Sequence, residues 1–314
     1  MIPKKLKKGN TIGMVAPSKP LSEKHKEYLN NFKNYIEGIG LNLVFGKNLF
    51  KMDKFGVTAG TGKERAEDIN EMFANSKIDA VWCYQGGEGA NQVLDFLDYD
   101  IIRKNPKLFL GMSDVDVLLL AVNKETGLVG FNTPDPKRGR DLDFDFDYSR
   151  ENFIERLFDG GRDVRNNSEW KTIRGGVVEG RLLGCNISSI LKLAGTKYFP
   201  DFKDSILFLE GYKLGVDDIK YKLEQLKQIG VFDVVKGVVL GYFYSFQDSG
   251  VRKEKEISVD IEEVVLDAMG DYNFPILKIN EFGHKCQNAF LPIGAKVKID
   301  ATNHKIELTE DFVD

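Results

Sequence analysis

Short apolar runs alternate with segments of helical periodicity through residues 11–131, and this alternation limits the possible folds most strongly. Two strands joined by a helix usually run parallel, because the helix carries the chain back to the same end of the sheet. The pattern therefore predicts an α/β fold with a mostly parallel sheet covered by helices on both faces. The predicted strands are residues 11–17, 41–45, 78–83, 107–111 and 128–131, and the predicted helices are 22–39, 61–74, 90–97 and 115–122.

The length of 314 residues exceeds the usual size of one compact core and predicts two domains. A polar, proline-bearing stretch and then a glycine-rich one follow the fifth strand, which places the boundary there. We predict an N-terminal α/β domain over 1–150, a linker over 151–168 and a C-terminal domain over 169–314. Closely spaced strand patterns near the end of the chain predict a mixed or partly antiparallel C-terminal domain.

Composition argues against several classes of protein. Hydrophobic residues make up 42% and charged residues 29%, the ordinary balance of a soluble globular protein. The 44 basic and 48 acidic residues leave a formal charge of −4, so we expect neither a nucleic-acid nor a membrane partner. No apolar run has the length of a membrane span or the form of a signal peptide, and we expect a cytoplasmic protein. Three widely spaced cysteines suit neither disulfides nor structural zinc, so we expect free thiols. We expect no metal and no cofactor.

Five aspartates occur between residues 135 and 147, which raises the question of a calcium site. The glycine and the terminal glutamate of an EF-hand loop are missing, and a solvated segment is the simpler interpretation. The sequence leaves the role of this segment open. The aspartates are Asp135, Asp141, Asp143, Asp145 and Asp147.

Two glycine-containing corners follow predicted strands, at residues 85–89 and 111–113, where parallel sheets gather their functional groups. The double glycine at 86–87 would let backbone N–H groups approach a ligand, although it also suits a tight turn. A nucleotide-binding loop is not indicated, because the chain lacks the glycine order and the lysine of such loops there.

Ser113 stands at the second corner, between the strand at 107–111 and the next predicted helix. A serine held at a strand-to-helix corner can have its hydroxyl lifted above the sheet, as in a nucleophile elbow. The second glycine of that motif is absent, since Val115 occupies its position. Residues 113–116 also fit a capping box, and these residues alone favour the cap while leaving the nucleophile possible.

A serine nucleophile needs an imidazole to take its proton and a carboxylate to orient that imidazole. His25 lies in a polar part of the first predicted helix and His304 in a terminal hairpin turn, so both are poorly placed. His284 follows a buried strand and a glycine, and Glu210 ends the apolar run 205–209. Each also has a structural interpretation, as a hydrogen-bonding surface histidine and as a helix cap.

Five segments of the chain are quite specific in their order and spacing: GNTIGMVAPS, GGEGANQVLDFLDYDIIRKNPKLFLGMSD, GRLLGCNISSILKLAGTKYFP, ILFLE and FGHKCQNAFLPIG. In these segments the chain resembles the LD-carboxypeptidase and microcin-immunity family of serine peptidases. The resemblance implies that Ser113 is the nucleophile, Glu210 the triad carboxylate and His284 the base. It also implies an oxyanion hole formed by the backbone N–H groups of Gly87 and Asp114.

The same resemblance implies an N-terminal α/β domain that carries the serine and a C-terminal domain, with a small barrel-like sheet, that carries the other two residues. Substrate would bind between the domains, in contact with Gly86, Glu88 and Trp170. A homodimer is the expected assembly.

The chain departs from the family pattern near the expected site. Murein-cleaving members commonly have an arginine just before the two glycines, where this chain has Tyr84 and Gln85, so a cation that could hold a substrate carboxylate is missing. Asp116 replaces the usual threonine after the serine and aspartate, and Gln287 replaces a proline after the histidine. None of these changes removes a member of the triad.

Trp170 belongs to a segment, residues 166–171, that resembles the tryptophan-bearing loop of the microcin-immunity branch. There an aromatic ring can stack on a nucleobase-like group. Packing at a domain surface is the alternative interpretation of this side chain.

The main hypothesis is a metal-independent serine carboxypeptidase with a Ser-Glu-His triad. It would hydrolyse an amide of a peptide or peptide-like molecule after an L-centre, as in release of D-alanine from a murein tetrapeptide. One alternative is a self-immunity hydrolase that cleaves an aminoacyl-nucleotide antibiotic. Another is a non-catalytic peptide-binding module, and a cysteine mechanism through Cys286 is disfavoured because nothing nearby marks a reactive thiol.

Overall fold

The computed structural model describes residues 1–139, 143–244 and 260–314, and two β-sheets organise them. The first sheet has the strand order β11-β5-β4-β3-β1-β2, and β1 to β5 run parallel to their neighbours. Its strands are β1 (Thr11–Val15), β2 (Asn42–Phe45), β3 (Ala80–Cys83), β4 (Leu108–Gly111), β5 (Gly130–Asn132) and, antiparallel at one edge, β11 (Leu291–Ile293).

Four α-helices connect these parallel strands, and the predicted α/β rhythm is confirmed. They are α1 (Lys26–Gly38), α2 (Gly62–Ala74), α3 (Tyr99–Lys104) and α4 (Asp116–Thr126). Thr61 and Glu64 form a reciprocal capping box at the start of α2, which explains why that helix began where the sequence predicted. Residues Ala90–Phe96, predicted as an α-helix, form a 3-10 helix, and α3 was not predicted.

The second sheet is mixed, as predicted, and curls into a half-barrel. Its order is β13-β12-β7-β8-β9-β10-β6, with β7 to β10 parallel and the outer pairs antiparallel. The strands are β6 (Lys171–Arg174), β7 (Val177–Asn186), β8 (Ser205–Tyr212), β9 (Gly237–Tyr244), β10 (Ile276–Gly283), β12 (Lys296–Asp300) and β13 (Lys305–Leu308). The helices beside it are α6 (Ile187–Leu193), α7 (Val216–Gln228), α8 (Val231–Val234) and α9 (Ile261–Met269).

The predicted boundary region is more ordered than its polar sequence indicated. Helix α5 (Asp147–Ile154) continues into a π-helical turn, Glu155–Asp159, so the first part of the segment predicted as a linker is helical. Phe153 and Leu157 lie one turn apart and are both fully buried, which holds this helix against the core. The division at 150 and 168 stays a prediction.

The two halves of the chain meet around α4, which packs against both α6 and β7. Strand β11, from late in the sequence, pairs with β5 and ties the C-terminal half into the first sheet. The start of α4 therefore lies beside the end of β7. Within the described ranges, no helix is long and apolar enough to cross a membrane.

Candidate active site

Ser113 lies at a sharp corner between β4 and α4, in a 3-10 turn formed by Ser113–Val115. Its φ angle is 65°, in the left-handed region that a residue with a side chain rarely adopts. The corner also requires Gly111, because a Cβ there would lie 2.5 Å from Cγ1 of Val115. The Val115 side chain, which replaces a motif glycine, fills the space that a Cβ on residue 111 would need.

The capping-box interpretation of Ser113 is wrong. The 3-10 turn has Met112 at its N-cap and α4 has Val115, and in this described part of the chain neither N-cap side chain makes a capping hydrogen bond. Ser113 itself is held through its backbone, since its carbonyl oxygen accepts a hydrogen bond of 2.7 Å from Oγ of Ser189 on α6.

Asp114 joins the elbow to the glycine corner and to the second half of the chain. Its carboxylate is 1% exposed, and Oδ2 accepts hydrogen bonds from Oγ of Ser18 at 2.6 Å and from the backbone N–H of Ala90 at 2.8 Å. Oδ1 lies 2.7 Å from Nζ of Lys192, which also pairs with Glu88 at 2.5 Å. The Asp114 side chain is therefore structural, and its contacts hold the backbone of the corner in place.

The glycine corner touches the elbow directly. A Cβ on Gly86 would lie 2.8 Å from Cβ and 3.0 Å from Oγ of Ser113, and 3.1 Å from the backbone nitrogen of Asp114. Gly87 has a φ angle of 142°, and a Cβ there would lie 2.5 Å from Cγ of Lys19. The absence of a side chain on Gly86 therefore allows the backbone of this corner to lie close to Ser113, and Gly87 leaves room for the Lys19 side chain.

Arg65 supports this corner and was not anticipated from the sequence. Its side chain is buried under the turn and donates to the carbonyl oxygens of Pro17 and Gly89 and to Oε1 of Gln92, the last two at 2.9 and 2.6 Å. No motif in the sequence indicates this role. The role of Arg65 is visible only from its contacts with the loops that contain Pro17 and Gly89.

Glu210 lies within β8 and not at its end, because the strand continues to Tyr212. The expected helix-capping role is therefore wrong. Pairing with β9 shifts register between Leu209 and Gly211, and such an irregularity changes the direction of the side chain beside it. Glu210 is 1% exposed, so its carboxylate needs internal partners.

His284 supplies one of those partners. Its Nδ1 lies 2.8 Å from Oε2 of Glu210, while Oε1 accepts a hydrogen bond of 2.7 Å from Nδ2 of Asn186. Because Nδ1 faces a carboxylate, it carries the proton and leaves Nε2 as the free acceptor. The imidazole also stacks on Tyr212, with ring centroids 4.3 Å apart.

The electrostatic environment favours the charged form of His284. Burial lowers its pKa, but the charge of Glu210 and the hydrogen bond to it, with weaker contributions from Asp143 and Asp135, raise the pKa above its ordinary value overall. The side chain keeps 14% of its surface exposed, so a proton can still be exchanged with a ligand.

The predicted residues meet in one cavity of about 490 Å³. Ser113 and His284 both line it, together with Gly86, Gly87, Glu88 and Asp114, and Glu210 lies behind His284. His25, which seemed poorly placed in the sequence, lines this cavity as well. The wall carries four lysines, Lys19, Lys137, Lys192 and Lys285, and the acids Glu88, Asp114, Asp135 and Asp143.

Models of two protein families match the chain on either side of the predicted boundary. The LD-carboxypeptidase N-terminal domain matches residues 12–133, and the LD-carboxypeptidase C-terminal domain matches residues 179–299. The chain belongs to the LD-carboxypeptidase family. The resemblance predicted from the sequence segments is thereby confirmed.

Individual relatives of this LD-carboxypeptidase family member include both branches of the family. The probable murein peptide carboxypeptidase of Bacillus subtilis (strain 168) is 31% identical over 300 residues, which cover 95% of this chain and 91% of that protein. The microcin C7 self-immunity protein MccF of Escherichia coli is 29% identical over 334 residues, with 97% and 94% covered. A solved structure of MccF in complex with glutamyl sulfamoyl guanosine is similar with a TM-score of 0.87 at 26% identity, covering 100% of this chain and 99% of that one.

Trp170 is a predicted site residue that the structure does not bring to the cavity. The indole is 4% exposed, and its Nε1 donates a 2.7 Å hydrogen bond to Oε2 of Glu281. Among the described residues that line the cavity, Trp170 is not found. The packing interpretation fits this position, because a buried indole N–H requires such a partner.

Two described residues of the aspartate-rich segment, Asp135 and Asp143, line the cavity. Asp143 lines the cavity, and its pKa is raised to about 6, chiefly by burial, against the opposing charge of His284. Asp135 pairs with Lys137 at 3.0 Å. Asp141 lies outside the described residues, and in the described ranges no three acidic, histidine or cysteine side chains form a group that could hold a metal ion.

Cys286 does not supply a reactive thiol. The side chain is buried, and burial together with the charges of Asp143 and Glu210 raises its pKa well above the ordinary value. A thiol in this environment stays protonated and is a poor nucleophile.

Proposed function

We propose that the chain is a serine carboxypeptidase in which Ser113, Glu210 and His284 form the catalytic triad. One observation supports this most strongly: a strained serine and the exposed edge of a Glu210-bound imidazole line the same cavity. Backbone strain of this kind persists at functional sites because surrounding contacts hold it. Family membership supports the same class of chemistry.

The arrangement suggests a sequence of proton transfers. Nε2 of His284 takes the proton of the Ser113 hydroxyl while Oγ attacks the substrate carbonyl carbon, and Glu210 stabilises the resulting imidazolium. The carbonyl oxygen becomes an oxyanion, which the backbone N–H groups of Gly87 and Asp114 would bind in the proposed mechanism. The C–N bond then breaks, and the departing amine takes the proton from His284.

Water completes the cycle by the reverse route. His284 removes a proton from water, the hydroxide attacks the acyl-serine ester, and the proton returns to Oγ of Ser113 as the acid leaves. This chain's own residues supply every proton transfer in the cycle.

The proposed substrate is a murein tetrapeptide, from which the enzyme would release D-alanine after an L-centre. The relative that is 31% identical is named a probable murein peptide carboxypeptidase. The missing arginine before Gly86 is partly replaced, because Nζ of Lys137 donates to Oε1 of Gln85 at 2.7 Å on the cavity wall. A cation therefore stands where a substrate carboxylate would enter, although Asp135 shares it.

A second candidate is the hydrolysis of an aminoacyl-nucleotide antibiotic, and the TM-score of 0.87 to MccF with glutamyl sulfamoyl guanosine favours it. The two candidates differ in their dependence on Trp170. In the murein form, Trp170 is a packing residue bonded to Glu281, whereas in the immunity form it would have to leave that pocket and contact the base.

The deciding experiment offers a murein tetrapeptide and a glutamyl sulfamoyl nucleoside side by side to the wild type, Ser113→Ala and Trp170→Phe. We expect D-alanine release by the wild type and by Trp170→Phe, and none by Ser113→Ala, whose fold is checked by circular dichroism. Cleavage of only the nucleoside, lost in Trp170→Phe, would favour the immunity candidate. Full activity of Ser113→Ala would exclude the serine mechanism.

We also propose that the chain forms a homodimer, acts in the cytoplasm on small peptide-like molecules, and consists of the two domains divided at residues 150 and 168. Sedimentation equilibrium measures the assembly. A monomer over the working range of concentration would contradict the dimer.

A further inference from the structure

Asp116 is a second buried carboxyl group close to the triad, and the proposed mechanism does not use it. It is the first residue of α4, three positions after Ser113, and it is fully buried. Oδ1 accepts a 2.7 Å hydrogen bond from Nδ2 of Asn132, and Oδ2 accepts one of 3.3 Å from the backbone N–H of Asn186. Asp116 therefore links the first sheet, the serine helix and the end of β7.

Asn186 connects this carboxyl group to the triad. Its side-chain oxygen accepts from the backbone N–H groups of Ser188 and Ser189 at 3.0 and 3.3 Å, which fixes the orientation of the amide. Its Nδ2 consequently points at Oε1 of Glu210, 2.7 Å away. One residue thus touches both acids, and a continuous chain of contacts leads from Asp116 through Asn186 and Glu210 to His284.

The charge balance of this cluster is unfavourable if both acids are ionised. Asp116 and Glu210 are 0% and 1% exposed, and neither forms an ion pair with a lysine or arginine among the described residues. Two buried carboxyl groups that both contact Asn186 and lack a cationic partner resemble pairs in which one acid retains its proton. The other titratable groups that face Asp116 are His284 at the end of β10 and Cys185 on β7.

We propose that Asp116 is a positioning residue that stays a neutral carboxylic acid and, through Asn186, holds Glu210 and His284 in register with Ser113. This inference rests on the proposed function. Both oxygens of Asp116 accept hydrogen bonds from N–H groups, and the oxygen with the longer bond, from Asn186, is the one that would carry the proton. Burial, with the charge of Glu210, raises the pKa of Asp116 well above its ordinary value.

A neutral Asp116 leaves Glu210 as the single negative charge beside His284 in this chain of contacts. An ionised Asp116 would add a second one and would hold the imidazolium more strongly, which would keep more of the base protonated. The neutral acid supplies the geometric link between the two halves of the chain without that cost.

The test compares the wild type with Asp116→Asn, which cannot ionise and keeps one oxygen to accept from Asn132, and Asp116→Ala, which removes the link. In infrared difference spectra at neutral pH, the wild type should show a protonated carboxylic acid band that Asp116→Asn lacks. Asp116→Asn should keep kcat within about threefold and leave the acid limb of kcat/KM unmoved. Asp116→Ala should lose kcat on the order of tenfold to a hundredfold with KM little changed.

The absence of that band in the wild type would overturn the proposal, and so would a shift of the acid limb to lower pH in Asp116→Asn, because that shift means that a charge was removed. An unchanged kcat in Asp116→Ala would also overturn it. The spectrum requires no substrate and remains decisive if Asp116→Ala does not fold. It also separates failure of this inference from failure of the peptidase assignment, which Ser113→Ala tests independently.

Discussion

Ser113 is the nucleophile of the proposed mechanism, and contacts with residues distant in sequence maintain its conformation. A left-handed backbone on a residue with a side chain costs about 1–3 kcal/mol. The Ser189 hydroxyl on its carbonyl oxygen and the close backbone of Gly86 hold it there. Glu210 likewise holds the His284 ring in one tautomer and raises its pKa.

The raised pKa of His284 predicts the pH dependence of the reaction. A base must be neutral to accept the serine proton, so kcat/KM should fall as the pH drops through a value above the ordinary pKa of about 6.5. Glu210→Gln removes the charge that raises this pKa, so the acid limb should move to lower pH while kcat falls by about 10²- to 10⁴-fold. The measurement is a pH profile of both enzymes, and an unmoved limb would contradict it.

Stability provides an independent check on the same pair. Because the folded pKa of His284 is raised, the imidazolium stabilises the fold below the unfolded pKa, and this contribution is lost as the pH rises through the folded value. Urea unfolding should therefore show a larger loss of stability in Glu210→Gln at acidic pH than at alkaline pH. A larger loss at alkaline pH would contradict the pairing.

Two turns determine the site at the element scale: the glycine corner after β3 and the elbow after β4. They are tied by the Asp114 carboxylate, which bonds Ser18, Ala90 and Lys192. Buried Arg65 supports the glycine corner from beneath. The distance between the two turns therefore depends on a shared set of buried polar contacts, which are costly to break.

Gly86→Ala tests this close approach. The added Cβ would meet Cβ and Oγ of Ser113 at 2.8 and 3.0 Å, so we expect kcat to fall by about 10²-fold while the protein remains folded. Gly38→Ala at the end of α1 is the matched control, since no atom lies within 4 Å of its added Cβ. Steady-state kinetics and thermal melts of both variants decide the matter, and wild-type kcat in Gly86→Ala would show that the turns are not in tight contact.

Strands and helices that arise from local sequence patterns were predictable from the sequence. Apolar runs and the Thr61 capping box predicted the strands and the start of α2. Strand β8 was expected to stop at Glu210, because a buried acid inside a strand has no local signal and is explained only by His284, 74 residues away. The sequence predicts a short amphipathic helix over 153–158, but α5 already begins at Asp147, because alternating aspartates and aromatics hide the helical periodicity of its first turn.

The whole molecule brings the site together from two sheets. Ser113 comes from the parallel sheet and Glu210 and His284 from the mixed one, and α4, α6 and β7 form the contact between them. The order of the sequence segments was enough to predict these three residues as one site. The partners of Trp170 and Asp116 were not predictable, because Glu281 and Asn186 are distant in sequence and share no motif with them.

The most direct test of the proposed triad is labelling by a fluorophosphonate, which reacts with an activated serine. We expect one modified residue, Ser113, in the wild type by peptide mass spectrometry, no labelling in Ser113→Ala, and much slower labelling in His284→Ala. Labelling at another serine, or a rate at Ser113 that does not change when His284 is removed, would contradict it.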